Sequence, residues 1–280
     1  MLRLLIVTLF CVSANADTLS ITDGVERERH PGKFIWTDLV SSNPQDAADF
    51  YSQLFSWQIN PFDDDYLVIR NHGRPIGGIA LNEADGEEVR TQWISYLSSR
   101  DIDAAHERLM SAGAEAILDP MTVSGRGKFG IYAGPDGGLF GVLTAQDGDP
   151  EERGADLGDW IWIELWSKRP QVAAGFYEGL GFSVARNWAS ANENDRLLVA
   201  GDYARGGIVE GHPEQKHSAW LLYVRVADVD ETLARAGRLG GEVVVLDGEV
   251  NSNGEIALVQ DPTGGIVAIY QYPELGEVVE

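Results

Sequence analysis

The segment GKFIWTDLVSSNPQDAADFYSQL, residues Gly32–Leu54, decides the fold, because a close copy of it follows later in the chain. The copy is GDWIWIELWSKRPQVAAGFYEGL, residues Gly158–Leu180. Twelve positions coincide at an offset of 126 residues, among them Trp36 and Trp162. A self-match of this density at one fixed offset indicates an internally duplicated architecture.

The repeated segment predicts a strand followed by a helix. Residues 34–40 alternate between two faces, as a strand requires. Asn43 is a suitable N-cap and Pro44 suits the first helical position, and apolar residues then recur at helical spacing. Residues 66–70 and 74–81 read as two returning strands around a turn. The module is therefore a strand, a helix and a strand meander.

A second module of the same order follows each copy. In the first half it comprises a strand at 93–99, a helix capped by Asp101, and strands at 129–133 and 139–143. At an offset of 127 it is echoed by eight coinciding pairs: Trp93/Trp220, Tyr96/Tyr223, Asp101/Asp228, Asp103/Asp230, Gly113/Gly240, Pro135/Pro262, Gly137/Gly264 and Gly138/Gly265. Four such modules, two per domain, predict an α+β fold with helices on the outer faces of the sheets. We favour pairing between neighbouring modules, because short connections prevail.

The N-terminus has the pattern of a secretory signal. A positive start at Arg3 precedes an apolar run, and Ala14-Asn15-Ala16 forms a small-residue cleavage pattern. We therefore expect an exported protein, periplasmic or extracellular. The only cysteine, Cys11, lies inside this signal, so the mature chain would have no thiol for disulfides or metal binding.

The remaining boundaries follow from composition and from the repeats. We predict, in order, a signal peptide (1–16), a flexible lead-in (17–31), a first domain (32–145), an acidic linker (146–157), a second domain (158–273) and a tail (274–280). The formal charge of −23 would repel nucleic acid and anionic membranes, so neither is an expected partner. The four modules can close two domains within one chain, and a monomer and a homodimer both stay open.

Two features together carry a resemblance to a known family. The Phe-Tyr pair of the first helix of each half, at Phe50 and Phe176, recurs with the closing hairpins Gly134–Gly138 and Asp261–Gly265. This combination resembles the vicinal oxygen chelate superfamily, which includes glyoxalase I, extradiol dioxygenases and the fosfomycin and bleomycin resistance proteins. The resemblance covers roughly residues 32–272. It implies βαβββ modules that pair to form cup-shaped sheets, in which a divalent metal usually chelates two neighbouring substrate oxygens.

The metal ligands of that family do not carry over to this chain. Six positions match the family's ligand sites, and none has a suitable donor: Trp36, Ile94, Gly141, Trp162, Leu221 and Ala268. The resemblance therefore implies a first domain without metal. Glu210, His212 and His217 leave one candidate metal site in the second domain, although their segment reads as a polar loop.

Carboxylates at one repeat position are the remaining candidates for catalysis. If Trp36 and Trp162 line the cups, alternation puts Asp38 and Glu164 on the same faces. A carboxylate in an aromatic cup is suited to act as a general acid or base. The favoured alternative is that it accepts structural hydrogen bonds, for example from Tyr51 or Tyr177.

Tryptophans are the candidate ligand-binding residues. Trp36 and Trp162, together with Trp93 and Trp220, would give each cup aromatic walls suited to a small apolar or planar molecule, or would simply fill the core. Arg126, in the segment Gly125-Arg126-Gly127, could edge the mouth of the first cup with Lys128 and Phe129, and a plain loop role is the favoured alternative.

Three functions stay open on this sequence. The first is a metal-independent binder of a small organic molecule. The second is an enzyme of the same fold, a lyase, isomerase or dioxygenase-like catalyst with a divalent metal or a carboxylate site. The third is a non-catalytic scaffold whose cups are filled by their own side chains. Fold alone does not choose between them.

Overall fold

The protein is described by a computed structural model for residues 18–82, 91–190, 192–213, 215–244 and 256–272. The predicted signal peptide and the tail at 274–280 lie outside these ranges. In the part of the chain that is described, no helix is long and apolar enough to cross a bilayer.

Residues 34–145 form the two modules of the first domain. The first consists of β1 (Phe34–Ser41), α1 (Pro44–Phe55), β2 (Gln58–Pro61), β3 (Tyr66–Asn71) and β4 (Arg74–Leu81). The second consists of β5 (Gln92–Ser98), α2 (Ile102–Ser111), β6 (Glu115–Val123), β7 (Gly127–Ala133) and β8 (Leu139–Ala145).

The second domain repeats this order. Its first module consists of β9 (Trp160–Ser167), α3 (Pro170–Gly179), β10 (Ser183–Arg186), β11 (Arg196–Ala200) and β12 (Tyr203–Glu210). Its second consists of β13 (Ala219–Arg225), α4 (Val229–Arg238), β14 (Glu242–Val244), β15 (Ile256–Gln260) and β16 (Ile266–Tyr270). Each module is βαβββ, as predicted.

Each domain is built on one eight-stranded sheet. The strand orders are β2-β3-β4-β1-β5-β8-β7-β6 and β10-β11-β12-β9-β13-β16-β15-β14, so neighbouring modules share a sheet, as we favoured. The first strands of the two modules pair antiparallel at the centre, β1 with β5 and β9 with β13. Each of these four strands also pairs in parallel with the last strand of its own module. The α+β fold with two tandem domains is confirmed.

The predicted helix starts are present in the structure. The side chain of Asn43 accepts a hydrogen bond from the backbone N–H of Asp46 (3.3 Å), with Pro44 at the first helical position. The side chain of Asp101 likewise accepts bonds from the backbone at the start of α2. In α3 the N-cap position is Arg169, which provides no side-chain cap. Proline at the first position is what the two copies share.

A single apolar core joins the two domains. It contains the inner faces of all four helices and the strand faces that point toward them. Tyr51 of α1 and Tyr177 of α3 are almost fully buried there, together with Leu39 and Leu165. Phe140 of the first domain lies 5.8 Å, ring centre to ring centre, from Tyr177 of the second. The helices therefore pack into a shared interior, and the opposite face of each sheet is left to form a cup.

The lead-in is packed against the first domain, which corrects the prediction that it is flexible. Leu19 and Ile21 are 3% exposed and belong to the apolar cluster of the first cup. Ser20 Oγ donates a hydrogen bond to Asp147 Oδ2 (3.0 Å), and the backbone N–H of Arg27 donates to the Asp147 carbonyl (2.8 Å). Burial of two apolar side chains and these hydrogen bonds together hold the segment against the first domain.

Candidate functional site

A buried ion pair occupies the first cup, the face of the first sheet lined by Trp36, Tyr66, Tyr96 and Phe129. Arg126, between β6 and β7, is 0% exposed, and its Nη2 donates to Asp38 Oδ2 at 2.7 Å. Its guanidinium carbon lies 4.6 Å from the ring centre of Tyr96 and 4.7 Å from that of Phe129. A guanidinium between aromatic faces and a carboxylate is held by both cation–π attraction and charge pairing. Arg126 is therefore a turn residue whose side chain is buried inside the cup and does not lie at its mouth.

The other carboxylate oxygen of Asp38 is also engaged. Asp38 Oδ1 accepts hydrogen bonds from Trp36 Nε1 (2.8 Å) and from the Tyr66 hydroxyl (2.6 Å). Burial, and next the negative charge of Asp38, raises the pKa of Tyr66 well above its usual value, and the same causes raise the pKa of Tyr96. Both phenols therefore stay neutral hydroxyls. The carboxylate proposed for acid–base chemistry has a full set of partners inside the protein.

The second cup is lined by the equivalent face of the second sheet, including Trp162, Trp166, Leu221, Tyr223 and Leu258. Glu164 takes the place of Asp38: its Oε1 accepts from Trp162 Nε1 (3.0 Å) and its Oε2 from the Tyr223 hydroxyl (2.6 Å). Burial, and next the charge of Glu164, raises the pKa of Tyr223 well above its usual value. Trp162 and Glu164 are only half-buried, whereas Trp36 and Asp38 are buried. The two cups thus share one hydrogen-bonding design but differ in exposure.

A further carboxylate lies beside the second cup. In the first sheet Gly78 pairs with both Asp38 and Val68, and in the second Gly207 pairs with both Glu164 and Leu197. Leu197 is therefore the counterpart of Val68. Two residues earlier in each case, Asp195 takes the position of Tyr66. Asp195 is 8% exposed, and its charge contributes to the raised pKa of Tyr223. One of its oxygens accepts from Ser190 Oγ at 2.5 Å, while Oδ1 is buried without a hydrogen-bond partner among the described residues.

Trp93 and Trp220 do not line the cups, in contrast to our expectation. Their neighbours Ile94 and Leu221 belong to the cup clusters, so strand alternation turns both tryptophans to the opposite face. Trp93 packs against Tyr51, with ring centres 5.4 Å apart. Trp220 packs in the same way against the aromatic rings of Phe34 and Tyr177. Both tryptophans help to form the shared core.

The positions that match the family's metal ligands do not fit a metal in either cup. In the first cup Arg126 already supplies a cation, and a Cβ at Gly141 would lie 2.1 Å from Tyr96 Cδ1, so no larger side chain fits there. In the second cup the same positions are Trp162, Leu221 and Ala268. Tryptophan, leucine and alanine provide no donor of the kind that divalent metals take.

The candidate metal residues Glu210, His212 and His217 are not brought together. Within the described ranges, no three side chains of the His, Cys, Asp or Glu type come close enough to hold a metal ion. Glu210 is the exposed last residue of β12, and His217 is also exposed. Lys168 Nζ bonds the backbone carbonyls of His212 and Pro213, which is typical of a surface loop.

A cavity of about 390 Å³ between the domains is crossed by the linker. Glu152 of the linker pairs with Arg205 (2.7 Å) and Lys33 (3.6 Å), one cation from each domain. Burial lowers the pKa of Lys33, and the charge of Glu152 opposes this. Lys33 Nζ also donates to the Pro150 carbonyl (2.6 Å). These contacts tie the linker to both domains.

The residues missed by the sequence reasoning include the tyrosines of both cups. Tyr96 and Tyr223 coincide in the self-match, so the repeat already marked them. Arg126 is not repeated in the self-match. Its partner Asp38 is also 88 positions away in the chain, so the pairing has no local signal.

The first domain is similar to a glyoxalase-like domain, and the two sheets share the fold of a solved glyoxalase. Residues 35–143 match the family described as "Glyoxalase-like domain".

Relatives and solved structures match across most of the chain. It is 27% identical over 252 residues to the "Putative glyoxylase CFP32" of Mycobacterium tuberculosis, covering 86% of this chain and 95% of that protein. It is 29% identical over 231 residues to the anthracycline biosynthesis protein DnrV of Streptomyces peucetius, covering 76% and 84%. The Mn(II)-bound glyoxalase from Novosphingobium aromaticivorans superposes with a TM-score of 0.61 at 16% identity, covering 86% and 82%. This last likeness concerns the fold alone.

Proposed function

We propose that this protein binds a small organic molecule in its second cup and that its first cup is a filled scaffold. The observation that carries the proposal is the contrast between the two copies of one design. Asp38 is sealed by Arg126, whereas Glu164 bonds the equivalent tryptophan, Trp162, and the hydroxyl of Tyr223 in a half-buried setting. Aromatic walls around a few fixed polar groups are typical of small-molecule sites.

The name of one relative supports a planar ligand. DnrV is named for anthracycline biosynthesis, and Trp162 and Trp166 of the second cup offer flat apolar surfaces for stacking. We propose binding without a metal, because the positions that match the family's ligands carry no donors. Metal analysis of the purified protein, with and without chelator, tests this part, and a stoichiometric metal that the ligand requires would contradict it.

The duplication supplies a matched control for the binding test. We expect Trp162→Leu to weaken calorimetric binding of a screened hit by at least about tenfold, or about 1.4 kcal/mol. Trp36→Leu makes the same change at the same repeat position of the other cup and should leave affinity unchanged at a temperature where both variants are folded. Equal losses in both variants, or no binder from a broad library, would contradict the proposal.

Export is the second part of the proposal. It rests on the N-terminal pattern that ends at Ala16. Mass spectrometry of protein from its native cells should find a mature chain that begins at Asp17. Recovery of a chain that retains Met1 would contradict export by this signal.

A further inference from the structure

The first cup contains its own occupant. Arg126 meets the carboxylate of Asp38 at 2.7 Å while its guanidinium lies against the rings of Tyr96, Phe129 and, at 5.8 Å, Trp36. A positively charged group between a carboxylate and aromatic faces is the arrangement by which proteins bind organic cations. In chemical terms, Arg126 is a guanidinium ligand supplied by the chain itself.

The second cup has the acceptors of this arrangement without the cation. Trp162, Glu164 and Tyr223 repeat Trp36, Asp38 and Tyr96, which are set at the same ladder positions. No described Lys, Arg or His forms an ion pair with Glu164.

The second half of the sequence has no arginine at the repeat position of Arg126. The pairs Phe129–Leu143 and Ile256–Tyr270 fix the offset between the two copies at 127, so the counterpart of Arg126 is Asn253. The whole segment 245–255 contains no Lys or Arg. That segment lies outside the described residues, and only its composition enters the reasoning.

The arginines of the neighbouring strands are engaged elsewhere. Arg205 of β12 pairs with Glu152 (2.7 Å), and Arg225 of β13 donates to the Ala155 carbonyl (2.7 Å). Leu197 and Ala185 share the cup face with Glu164 through the strand ladder, so Arg196 and Arg186 alternate to the other face. Arg196 donates to backbone carbonyls, and Arg186 stacks on Trp188 at 4.3 Å.

Among the described residues, the carboxylates of the second cup therefore have no ion-pair partner. Glu164 is half-buried, and the buried Asp195 has an oxygen without a partner among the described residues. Glu164 accepts from the Tyr223 hydroxyl (2.6 Å), and strand alternation from Leu197 places Asp195 on the same face of the sheet. Desolvated carboxylates without a counter-ion are unfavourable, and a bound cation removes this cost.

We propose that the second cup takes an organic monocation, a guanidinium or ammonium group on a small hydrocarbon or planar body, held by Glu164 and the faces of Trp162 and Tyr223 as Arg126 is held in the first cup. This inference rests on the proposed function of the second cup as a small-molecule site. It adds the charge of the ligand, which the proposed function leaves open.

The test compares two molecules of nearly equal shape. Benzylguanidinium is the cation and benzylurea is its neutral counterpart, and calorimetry measures both against the full chain at neutral pH. We expect the cation to bind at least about tenfold more tightly than the urea, which corresponds to about 1.4 kcal/mol. Added salt should weaken the cation and leave the urea unchanged.

Two variants tie the preference to the carboxylate. Glu164→Gln keeps the shape of the side chain and should reduce the affinity for benzylguanidinium to that for benzylurea. Glu178→Gln removes the same charge from an exposed position of α3 and should change neither. If Glu164→Gln proves unstable, Asp195→Asn is the alternative variant, with its folding checked by thermal melting. It should lower the preference for benzylguanidinium over benzylurea.

The outcomes separate this inference from the proposed function. Equal affinity for the cation and the urea, or a Glu164→Gln variant that keeps the preference, overturns the cation and leaves the small-molecule site intact. If neutral or anionic molecules bind and benzylguanidinium does not, the cation proposal is likewise overturned and the small-molecule site stands. If a broad library gives no binder at all, both proposals fail.

Discussion

Removing the arginine from the first cup should destabilise the whole protein. Arg126→Ala leaves Asp38 as an unpaired carboxylate that is 0% exposed, because Arg126 is the cation that bonds its Oδ2. Breaking a buried pair by removing one partner costs about 3–5 kcal/mol. For a chain of this size each kcal/mol lowers Tm by about 2–4 °C, so we expect a fall of about 6–20 °C.

Urea unfolding followed by tryptophan fluorescence measures the free energy of unfolding for a double-mutant cycle. Arg126→Ala, Asp38→Asn and the double variant should be coupled, with the double variant less destabilised than the sum of the two single variants, because it buries no unpaired charge. Arg100→Ala, which removes an exposed arginine, serves as the control. Ethylguanidinium at millimolar concentration should raise the Tm of Arg126→Ala by more than that of the unmodified protein, in which only the second cup is proposed to bind it.

Two results would refute this reasoning. The first is an Arg126→Ala loss below about 1 kcal/mol, well under what breaking a buried pair costs. The second is strict additivity in the cycle, since residues in direct contact should couple by about 0.5–3 kcal/mol. Either would mean that the cation is not held as the structure shows.

Three further predictions concern the rest of the fold. Burial raises the pKa of five tyrosines: Tyr51, Tyr66, Tyr96, Tyr177 and Tyr223. Their contribution to the free energy of unfolding is therefore complete below about pH 10 and should fall above it by about 1.4 kcal/mol per tyrosine per pH unit. These phenols should ionise only on unfolding, and gradual tyrosinate absorbance in the folded protein would contradict this. Leu19→Ala should cost about 2–4 kcal/mol by urea unfolding, since Leu19 is buried in the first cup, while Leu157→Ala at an exposed position should cost little; equal effects would mean that the lead-in is loose. Ser167→Ala removes a hydrogen-bond donor to Asp136 Oδ2 (2.7 Å) across the domain interface and should lower the free energy of unfolding, measured in urea, by about 1–3 kcal/mol. Ser111→Ala, at an exposed position of α2, should leave it unchanged.

Sequence reasoning recovered the modules because their signals are local. Alternation in β1, the Asn43-Pro44 helix start and the glycine-rich hairpins all act within a few residues. The short strand β2 was missed because its four residues are mostly exposed and carry no alternation of apolar residues. β6 was missed because two register shifts interrupt its pairing with β7.

The site was harder to predict because its determinants are tertiary. Ile94 and Leu221 matched the family's ligand positions, and alternation from them already places Trp93 and Trp220 on the opposite face. That constraint was available in the sequence. The burial of Arg126 was not, since a Gly-Arg-Gly turn is typical of an exposed loop until the fold brings Asp38 to it.

The arginine inside the first cup separates the two halves thermodynamically. A domain that contains its own counter-ion is saturated at every concentration of solutes, so its stability does not depend on supply from outside. If the second cup binds the proposed cation, its domain gains stability as that ligand accumulates, by mass action. Because both domains share one apolar core, a ligand in the second cup would raise the free energy of unfolding of the whole molecule, while the contribution of the first cup would stay constant.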